Sequence, residues 1–382
     1  AKILSIISRY LFNTGPDFFH LNEKYLYFVG LWPKRERSRV YASLYKIYEC
    51  SLHILAIIYV IITGIGTFQH IDNTLVLMSN LDKTLVAYNF GFKIIFFIVK
   101  RGKLQRLISD IKCSGDRVSE YRKKFMALHI IFIALFSTVI VSVFCLMAQY
   151  NREMMVEAWM PFDPLKSEMN LFLANQILAA TFVVPHMYRA FAVQGIVCTI
   201  IMYFCDHLDE LQARMKKLVY SVDNEDVMRE EFKEIIKKHV RLMRYSKTFT
   251  DIFKEFFLIQ NLAVTIELCL NAIMVTVVSS YQKTLLANFV AYLFVALLNA
   301  YIFCYLGDEL IAKSEGIALA AYESPWTSWP IDLQKKILIV IGAAQKPLKL
   351  SAGGMTTMCI QTYSQALYNA YSIFAVLNDA VD

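Results

Sequence analysis

The sequence predicts an all-α membrane protein with seven transmembrane helices. Of its 382 residues, 57% are hydrophobic and only 19% are charged, and the mean hydropathy is +0.44. Soluble domains usually carry about 25% charged residues, so this composition argues against a soluble enzyme. Seven mostly apolar runs reach the roughly 20 residues that a spanning helix needs, and the alternating pattern of a membrane β-barrel is missing. The runs lie at about 44–68, 74–99, 125–149, 171–204, 252–280, 284–306 and 354–378.

Ionisable residues interrupt two of these runs. The second contains Lys83 and Lys93, which makes it the weakest of the seven, and the fourth contains His186 and Arg189. An ionisable group inside a span is a functional hypothesis by default. His186 is therefore expected to bond either a ligand oxygen or a neighbouring helix, and Arg189 to pair with Glu267 in the fifth run.

Lysine and arginine predict the orientation. Of the 39 such residues, 33 lie in the stretches 1–46, 100–124, 205–255 and 307–350, which alternate with the other loops. The positive-inside rule places these stretches in the cytoplasm, so the N-terminus is cytoplasmic and the C-terminus extracellular, opposite to a G-protein-coupled receptor. The net charge of +7 thus indicates topology, and no nucleic-acid partner is expected.

The segment 205–255 has apolar residues at helical spacing, from Leu208 and Leu211 to Phe232 and Met243, among alternating charges. Two interpretations are open: the fourth and fifth spans continue as charged helices, or the segment belongs to a cytoplasmic bundle that joins subunits. An apolar stripe outside lipid must be covered, which favours the bundle.

The last run divides into two pieces. A short cytoplasmic helix over about 332–344 ends before Pro347, and residues 351–354 are expected to open a final spanning helix. Polar residues three or four apart give that helix one polar face, which fits either a helix–helix contact or a pore lining that requires an oligomer. On the pore interpretation Val376 narrows the path and Asp379 favours cations. The pore face comprises Thr362, Gln365, Asn369, Ser372, Val376 and Asp379.

Four fragments give this chain a specific resemblance to the insect odorant receptors, a family of odorant-gated channels. YLGDELIAKSEGIALAAYESPW resembles the family's string at the end of helix six, and AAQKPLKLSAGGM resembles its Ala-Gln-x-Pro segment with Ala-Gly-Gly. TYSQALYNAYSIFAVL is similar to the tyrosine-rich final helix, and YLYFVGLWP near the start to its Gly-Leu-Trp-Pro segment. The match covers about residues 301–378 and 25–33; the middle of the chain matches in layout.

The resemblance implies a heterotetramer with the shared odorant receptor co-receptor, in which each final helix lines a central cation pore. The loop at 205–255 is too short for the co-receptor, and Asp379 stands where its glutamine would be, so the chain resembles a tuning subunit. The implied division is 1–204 for the N-terminal segment and helices one to four, 205–350 for the anchor with helices five and six, and 351–382 for the pore helix. The resemblance also implies that the protein lies in the plasma membrane of an olfactory sensory neuron dendrite, with membrane lipid as a further partner.

The resemblance also implies an odorant pocket in the outer half, between helices two, three, four and six. A small volatile ligand calls for an aromatic-lined site with few polar groups, although each side chain could equally serve helix packing. The pocket is expected to include Leu81, Thr84, Tyr88, Ser137, Val141, Phe144, Met147, Phe182, His186, Met187, Asn288, Phe289 and Tyr292.

Catalytic, cofactor and metal functions find no support in the sequence. It contains no GxSxG, HExxH or phosphate-loop motif, and its eight cysteines fit neither zinc spacing nor a disulfide set. Two other functions are weighed. A gustatory receptor would carry a Gln-Phe ending that is missing here, and a transporter would show internal repeats. Since the chain begins Ala-Lys, a few residues are expected to precede it.

Overall fold

Long helices build nearly all of the fold. The computed structural model describes residues 18–33, 38–277 and 283–381. In those ranges the helices are α1 (His20–Phe28), α2 (Arg39–Gln69), α3 (Thr74–Cys113), α4 (Glu120–Tyr150), α5 (Glu168–Leu178), α6 (Val184–Lys216), α7 (Glu225–Val277), α8 (Lys283–Glu323), α9 (Ile331–Ala344) and α10 (Ile360–Val381).

Side-chain caps explain where several helices begin. Asn73, Ser119 and Ser167 each accept a hydrogen bond from the backbone N–H three residues on, at 3.2–3.3 Å. Such caps satisfy N–H groups that have no partner in the first helical turn. The observed α2, α3 and α4 therefore contain the first three predicted spans and extend beyond them.

The fourth predicted span is interrupted by a wider turn. Residues Ala179–Val183 form a π-helical turn between α5 and α6, directly before Pro185. Proline has no N–H to donate and crowds the preceding turn, and π turns inside helices recur at functional sites. The interruption therefore has an identifiable sequence cause.

Three helical segments in the described residues are long and apolar enough to cross a membrane: Arg39–Gln69, Glu120–Tyr150 and Glu168–Lys216. The helix α3 carries Asp82, Lys83 and Lys93 within its apolar part. The helix α7 contains residues 252–277 of the fifth predicted span, whose last three residues lie outside the described residues. The helix α8 contains the sixth span, and both helices extend well beyond their apolar runs.

The connection before the last helix differs from the expectation. Residues 351–354 were expected to open the final helix, but Ser351–Ala352 and Thr356–Thr357 pair as antiparallel strands β1 and β2, and α10 begins at Ile360. Gly353 and Gly354 both have positive φ, 64° and 79°, a conformation that glycine adopts without strain. The two glycines therefore make a hairpin turn. The division into a short helix and a final helix is confirmed.

This hairpin is clamped between two long helices. Gly353 N–H donates to Lys254 O of α7 at 2.8 Å, and Met358 N–H donates to Leu350 O at 2.9 Å. On the other side, a Cβ added to Gly307 of α8 would overlap the Met358 carbonyl. The glycines in the two quoted fragments thus permit close backbone approach.

The apolar stripe of 205–255 is covered largely within this chain. Leu208, Leu211 and Phe232 are buried with Leu333 and Ile337 of α9 in one large core. Val240 stays about half exposed. A subunit contact is therefore not required to cover this stripe, although a bundle of α6, α7, α8 and α9 is present here.

Ion pairs bind this end of the bundle together. Arg241 Nη2 donates to both Asp116 oxygens at 2.7 and 2.8 Å, and Lys238 Nζ lies 2.6 Å from Glu210 Oε2 and 3.4 Å from Asp116 Oδ1. Burial alone would raise the pKa of Asp116, but Lys238, Ser114 and Arg241 together hold that pKa below its usual value. The α3–α4 loop is thereby tied to α7.

Candidate functional site

A cavity of about 200 Å³ lies between α2, α3, α4 and the α5–α6 segment, with α7 on one side. Pockets for drug-sized ligands are typically about 300–1,000 Å³, so this one suits a smaller molecule. Most of its surface is apolar. The apolar lining comprises Tyr59, Val86, Ala87, Phe90, Val139, Ile140, Val143, Phe144, Met147, Val156, Phe182, Val183, Met187 and Phe191.

Stacked rings form one wall of the cavity. The rings of Tyr59 and Phe182 stack at 4.5 Å between centroids, and Phe182 stacks on His186 at 4.4 Å. Phe182 and Val183 belong to the π turn, which therefore sets the position of this wall. Stacking favours a defined orientation of aromatic rings, so the Tyr59 and Phe182 rings present an apolar surface to the cavity.

The loop between α4 and α5 closes the adjacent end. Asn80 Oδ1 accepts from Glu157 N–H at 2.9 Å, Asn175 Oδ1 accepts from Met155 N–H at 2.9 Å, and Trp159 N–H donates to Ile62 O at 2.8 Å. These bonds attach the loop to α3, α5 and α2. The Val156 side chain of the loop lines the cavity. The loop is therefore a fixed cover.

Polar side chains line the face formed by α3 and α7. Lys83, Asn89 and Lys93 come from α3, Gln260 and Glu267 from α7, and Asn299 from α8. Lys93 Nζ donates to Gln260 Oε1, and outside the cavity Asn271 Nδ2 donates to Asp82 Oδ1 at 3.2 Å. The α3–α7 interface is therefore polar within an otherwise apolar region.

Four of the residues expected in a pocket line this cavity: Phe144, Met147, Phe182 and Met187. Others lie beside it. Three of them bond within the helices: Thr84 Oγ1 donates to Asn80 O at 2.8 Å, the Tyr88 and Thr63 hydroxyls lie 3.1 Å apart, and Ser137 Oγ donates to Ala134 O at 2.8 Å. The Val141 side chain is buried, and the His186 ring stacks on Phe182. Leu81 is 37% exposed. The side chains of Asn288, Phe289 and Tyr292 lie outside the described residues.

The expected pairing of Arg189 with Glu267 is wrong. Arg189 Nη1 lies 3.2 Å from His186 Nε2, and in the described part of the chain no carboxylate lies within ion-pair distance of Arg189. Glu267 instead lines the cavity on α7. The rotation of each helix about its axis separates the two residues, and that rotation is not visible in an apolar run.

Sequence reasoning missed the polar lining and Tyr59. The expected face of α3 followed Leu81, Thr84 and Tyr88, whereas the helix turns Lys83 and Lys93 inward. Those lysines were counted as weakening the span, although ionisable residues inside spans were a signal for a site. Tyr59 was missed because the first helix was not among those expected to line the pocket.

The final helix leaves its polar face uncovered in a single chain. Tyr363 and Ala370 pack against Val264, Leu268 and Ala300 of α7 and α8. Gln365 and Asn369 are exposed and bond each other at 2.8 Å, and Val376 is 69% exposed. Thr362 donates to Thr357 O and Ser372 to Tyr368 O. The Asp379 side chain lies outside the described residues.

Similar proteins are odorant receptors of insects. Odorant receptor 10 of Aedes albopictus is 25% identical over a stretch that covers 38% of each chain, and Odorant receptor 30a of Drosophila melanogaster is 28% identical over 44% of this chain and 43% of its own. The chain thus spans about two fifths of the length of these curated relatives. Odorant receptor 22a of Drosophila melanogaster is 22% identical and aligns over 91% of this chain and 89% of its own.

The fold matches solved structures of one insect receptor. The olfactory receptor OR5 from Machilis hrabei, in complex with eugenol, gives a TM-score of 0.79 at 18% identity, covering 95% of this chain and all of that one. The same receptor in another structure gives 0.75. The all-α fold with seven transmembrane helices is therefore confirmed, and the relatives are receptors, not enzymes. The model of the 7tm Odorant receptor family matches residues 73–371, so the chain belongs to that insect receptor family.

Proposed function

We propose that this chain is the ligand-sensing subunit of an odorant-gated, non-selective cation channel. The observation that carries the proposal is the mostly apolar cavity, with its stacked wall of Tyr59 and Phe182 among the long helices. A concave, mostly apolar site with a few polar groups is the usual form of a small-molecule site. The solved relative bound to eugenol, itself a small organic molecule, supports a ligand of the volatile class.

The pore is proposed to run along the final helix. A spanning helix with exposed amides such as Gln365 and Asn369 needs protein or water beside it. One helix cannot surround a path, so several subunits must each contribute one. Val376 then forms an apolar constriction that gates by dewetting, and Asp379 near the mouth attracts cations. Thr362 and Ser372 complete the lining.

The partner is proposed to be the odorant receptor co-receptor, in a heterotetramer surrounded by membrane lipid. Exposed apolar side chains at the ion-paired end support a subunit contact there. Ile331 and Ile339 on α9 are each more than 70% exposed, and Tyr322 on α8 is 66% exposed. Such groups favour burial against another subunit. This end belongs to the proposed anchor region, residues 205–350. The other two proposed regions are residues 1–204, with helices one to four, and residues 351–382, with the pore helix.

The proposed orientation follows the basic loops, with a cytoplasmic N-terminus and an extracellular C-terminus. The proposed location is the plasma membrane of an olfactory sensory neuron dendrite. Epitope tags at the two termini, labelled in intact and permeabilised cells, test the orientation. Labelling of an N-terminal tag in intact cells contradicts it.

Co-expression with the co-receptor tests the function directly. A broad panel of volatiles is expected to evoke a cation current in cells that hold both subunits and none in cells that hold this chain alone. Silence of the pair to the panel, or a second-messenger response without current, contradicts the proposal.

Filling the cavity tests the site. Ala87→Phe places a ring inside the 200 Å³ space, so the ligand response is expected to fall at least tenfold while surface expression is kept. The matched control is Ile95→Phe, on the exposed face of the same helix, with an unchanged response. Equal dose–response curves for the two variants contradict the assignment.

The gate is tested by Val376→Ser. A polar side chain wets an apolar constriction, so basal leak current without ligand is expected to rise. The exposed Tyr368, on another part of α10, provides the control Tyr368→Phe, which is expected to leave the leak unchanged. Unaltered leak and gating in Val376→Ser contradict the proposed pore face.

A further inference from the structure

A second, much smaller cavity adjoins the first. It has about 10 Å³, close to the smallest volume that holds one water molecule. We call the two spaces the main cavity and the inner chamber. The residues that border both are Phe90, Lys93, Phe191 and Asn299. The inner chamber is bordered in addition by Ala190, Gln194, Phe256 and Phe303. The shared side chains therefore separate the two spaces.

Two phenylalanine rings form the apolar part of this boundary. The Phe90 ring of α3 and the Phe191 ring of α6 lie 6.1 Å apart between centroids, and these residues are only 7% and 3% exposed. Lys93 Nζ lies 5.7 Å from the Phe90 centroid, and the Phe136 ring meets Phe191 edge to face at 6.3 Å. Each ring thus has a further packing partner, and close-packed side chains keep defined rotamers. We call Phe90 and Phe191 the partition.

The inner chamber lies toward the helices that hold the last helix. Phe256 of α7 and Phe303 of α8 border it, with their rings in a T-shaped contact at 5.6 Å. The same two helices pack against α10. Gln194 of α6, which is 7% exposed, adds an amide to the chamber. The partition therefore stands between the main cavity and a small space that is partly polar.

Volume determines what the main cavity holds. A dry apolar cavity of about 150 Å³ in another protein holds benzene. By proportion, the roughly 200 Å³ of the main cavity hold about eight carbon atoms. The inner chamber is too small for a carbon chain, so a ligand gains no room beyond the partition. One methylene group more than an apolar pocket holds changes selectivity by about tenfold or more.

We propose that the partition of Phe90 and Phe191 sets the upper length of the volatiles that activate this receptor. The ligand lies in the main cavity against the Tyr59–Phe182 wall, and the two rings stop it from reaching Gln194. Compounds of about eight carbon atoms or fewer fit, and longer ones fit only when a partition ring is made smaller. The proposal rests on the proposed function and adds the size class of ligand with the two residues that determine it.

Homologous odorants test the proposal in cells that express this chain with the co-receptor. The probes are 1-alkanols, 2-alkanones and alkyl acetates, each from about four to about twelve carbon atoms. The length limit of a series is the first member, beyond the most potent one, whose half-activating concentration is at least tenfold higher. In each series that activates, this limit is expected at about eight to ten carbon atoms.

Variants assign the limit to the partition, because long odorants are also less soluble. Phe191→Leu removes about three carbon atoms from one ring position, and Phe90→Leu does so from the other. Each is expected to raise the length limit by about two to three carbon atoms and to keep the response to short members. If surface labelling of a leucine variant is lost, Phe191→Met takes its place, with a smaller shift in the same direction.

The matched control is Phe132→Leu. This ring stacks on Phe136 at 5.7 Å, is 58% exposed and lines neither space. Its length limit is expected to equal that of the wild type. Surface labelling and the response to short members report folding in every variant.

A double variant shows where the longer ligands lie. Ala190 borders only the inner chamber, so Ala190→Val in the Phe191→Leu background refills the space that the smaller side chain opens. The length limit is expected to return toward the wild-type value. A limit that stays raised in the double variant places the long ligands elsewhere and overturns the proposal.

The outcomes separate the two levels of the argument. Wild-type responses without a length limit, a limit that neither partition variant moves, or an equal shift in Phe132→Leu overturns the role of the partition and leaves the channel function intact. Silence of the wild type to every series and to the broader panel overturns the proposed function, and the size class with it.

Discussion

The two ends of this molecule differ in how far their buried polar groups are satisfied by hydrogen bonds and ion pairs. At the ion-paired end, Asp116 is bonded by Ser114, Tyr203 and Arg241 and lies close to Lys238. At the cavity end, Asn89 lines the cavity, and its Oδ1 has no hydrogen-bond partner among the residues that the structure describes. Satisfied networks rigidify a region, whereas partly satisfied groups carry a penalty that a ligand can relieve. The comparison suggests that one end holds the fold and the other is shaped for binding.

The largest expected effect is at the rigid end, where backbones touch. In Gly307→Ala the new Cβ overlaps the Met358 carbonyl, which the hairpin holds in place, so unfolding is expected to become easier by about 1–3 kcal/mol. The control is Gly342→Ala, where open space surrounds the Cβ. Thermal stability of the detergent-solubilised protein by size-exclusion chromatography checks both. Equal melting temperatures for the two variants would contradict the close backbone contact between Gly307 and the hairpin.

Breaking the ion-paired network is expected to rank next. Asp116→Asn leaves Lys238 and Arg241 with less compensating charge. Because the Arg241 side chain is 30% exposed to solvent, the cost is expected to be about 1 kcal/mol, below that of a fully buried pair. Glu230→Gln breaks an exposed pair with Lys233 and should change stability by less than about 0.5 kcal/mol. The same melting assay compares them. A stable Asp116→Asn protein would show that this network does not hold the end together.

The smallest effect is expected from pH. His207 Nδ1 lies 2.9 Å from Glu210 Oε2, and this contact together with Lys238 lowers the pKa of Glu210 to about 2. A carboxylate with a lowered pKa stabilises the folded state above its ordinary pKa of 4.5, and that stability disappears as the pH falls toward 2. Melting temperatures are therefore expected to fall between pH 5 and pH 3. The fall should be smaller in Glu210→Gln; an equal fall in both proteins assigns the acid sensitivity to other groups.

Much of the fold was accessible from the sequence because lipid imposes a simple rule. A spanning backbone must satisfy its own hydrogen bonds, so each apolar run becomes a helix. The hairpin was missed because Gly353 and Gly354 were assigned to the helix that follows them, although positive φ is what glycine permits.

The site was less accessible, for a geometric reason. A run apolar on all sides does not reveal which way it faces, so Phe144 and Phe182 were found among the lining while Tyr59 and Ala87 were not. Lys83, Lys93 and Glu267 offered the information that apolar residues lacked. Their place on the inner faces of α3 and α7 depends on packing between helices far apart in the chain.

The clamped hairpin also has a mechanical consequence. Because Gly353 is bonded to α7 and Met358 lies against Gly307, the start of α10 is a fixed pivot. Val376 lies 16 residues beyond Ile360, a distance of about 24 Å along a helix that rises 1.5 Å per residue. A tilt of about 5° at the pivot then moves Val376 sideways by about 2 Å. A small tilt of the final helix about the hairpin would therefore displace the proposed gate residue much more than the residues at the start of the helix.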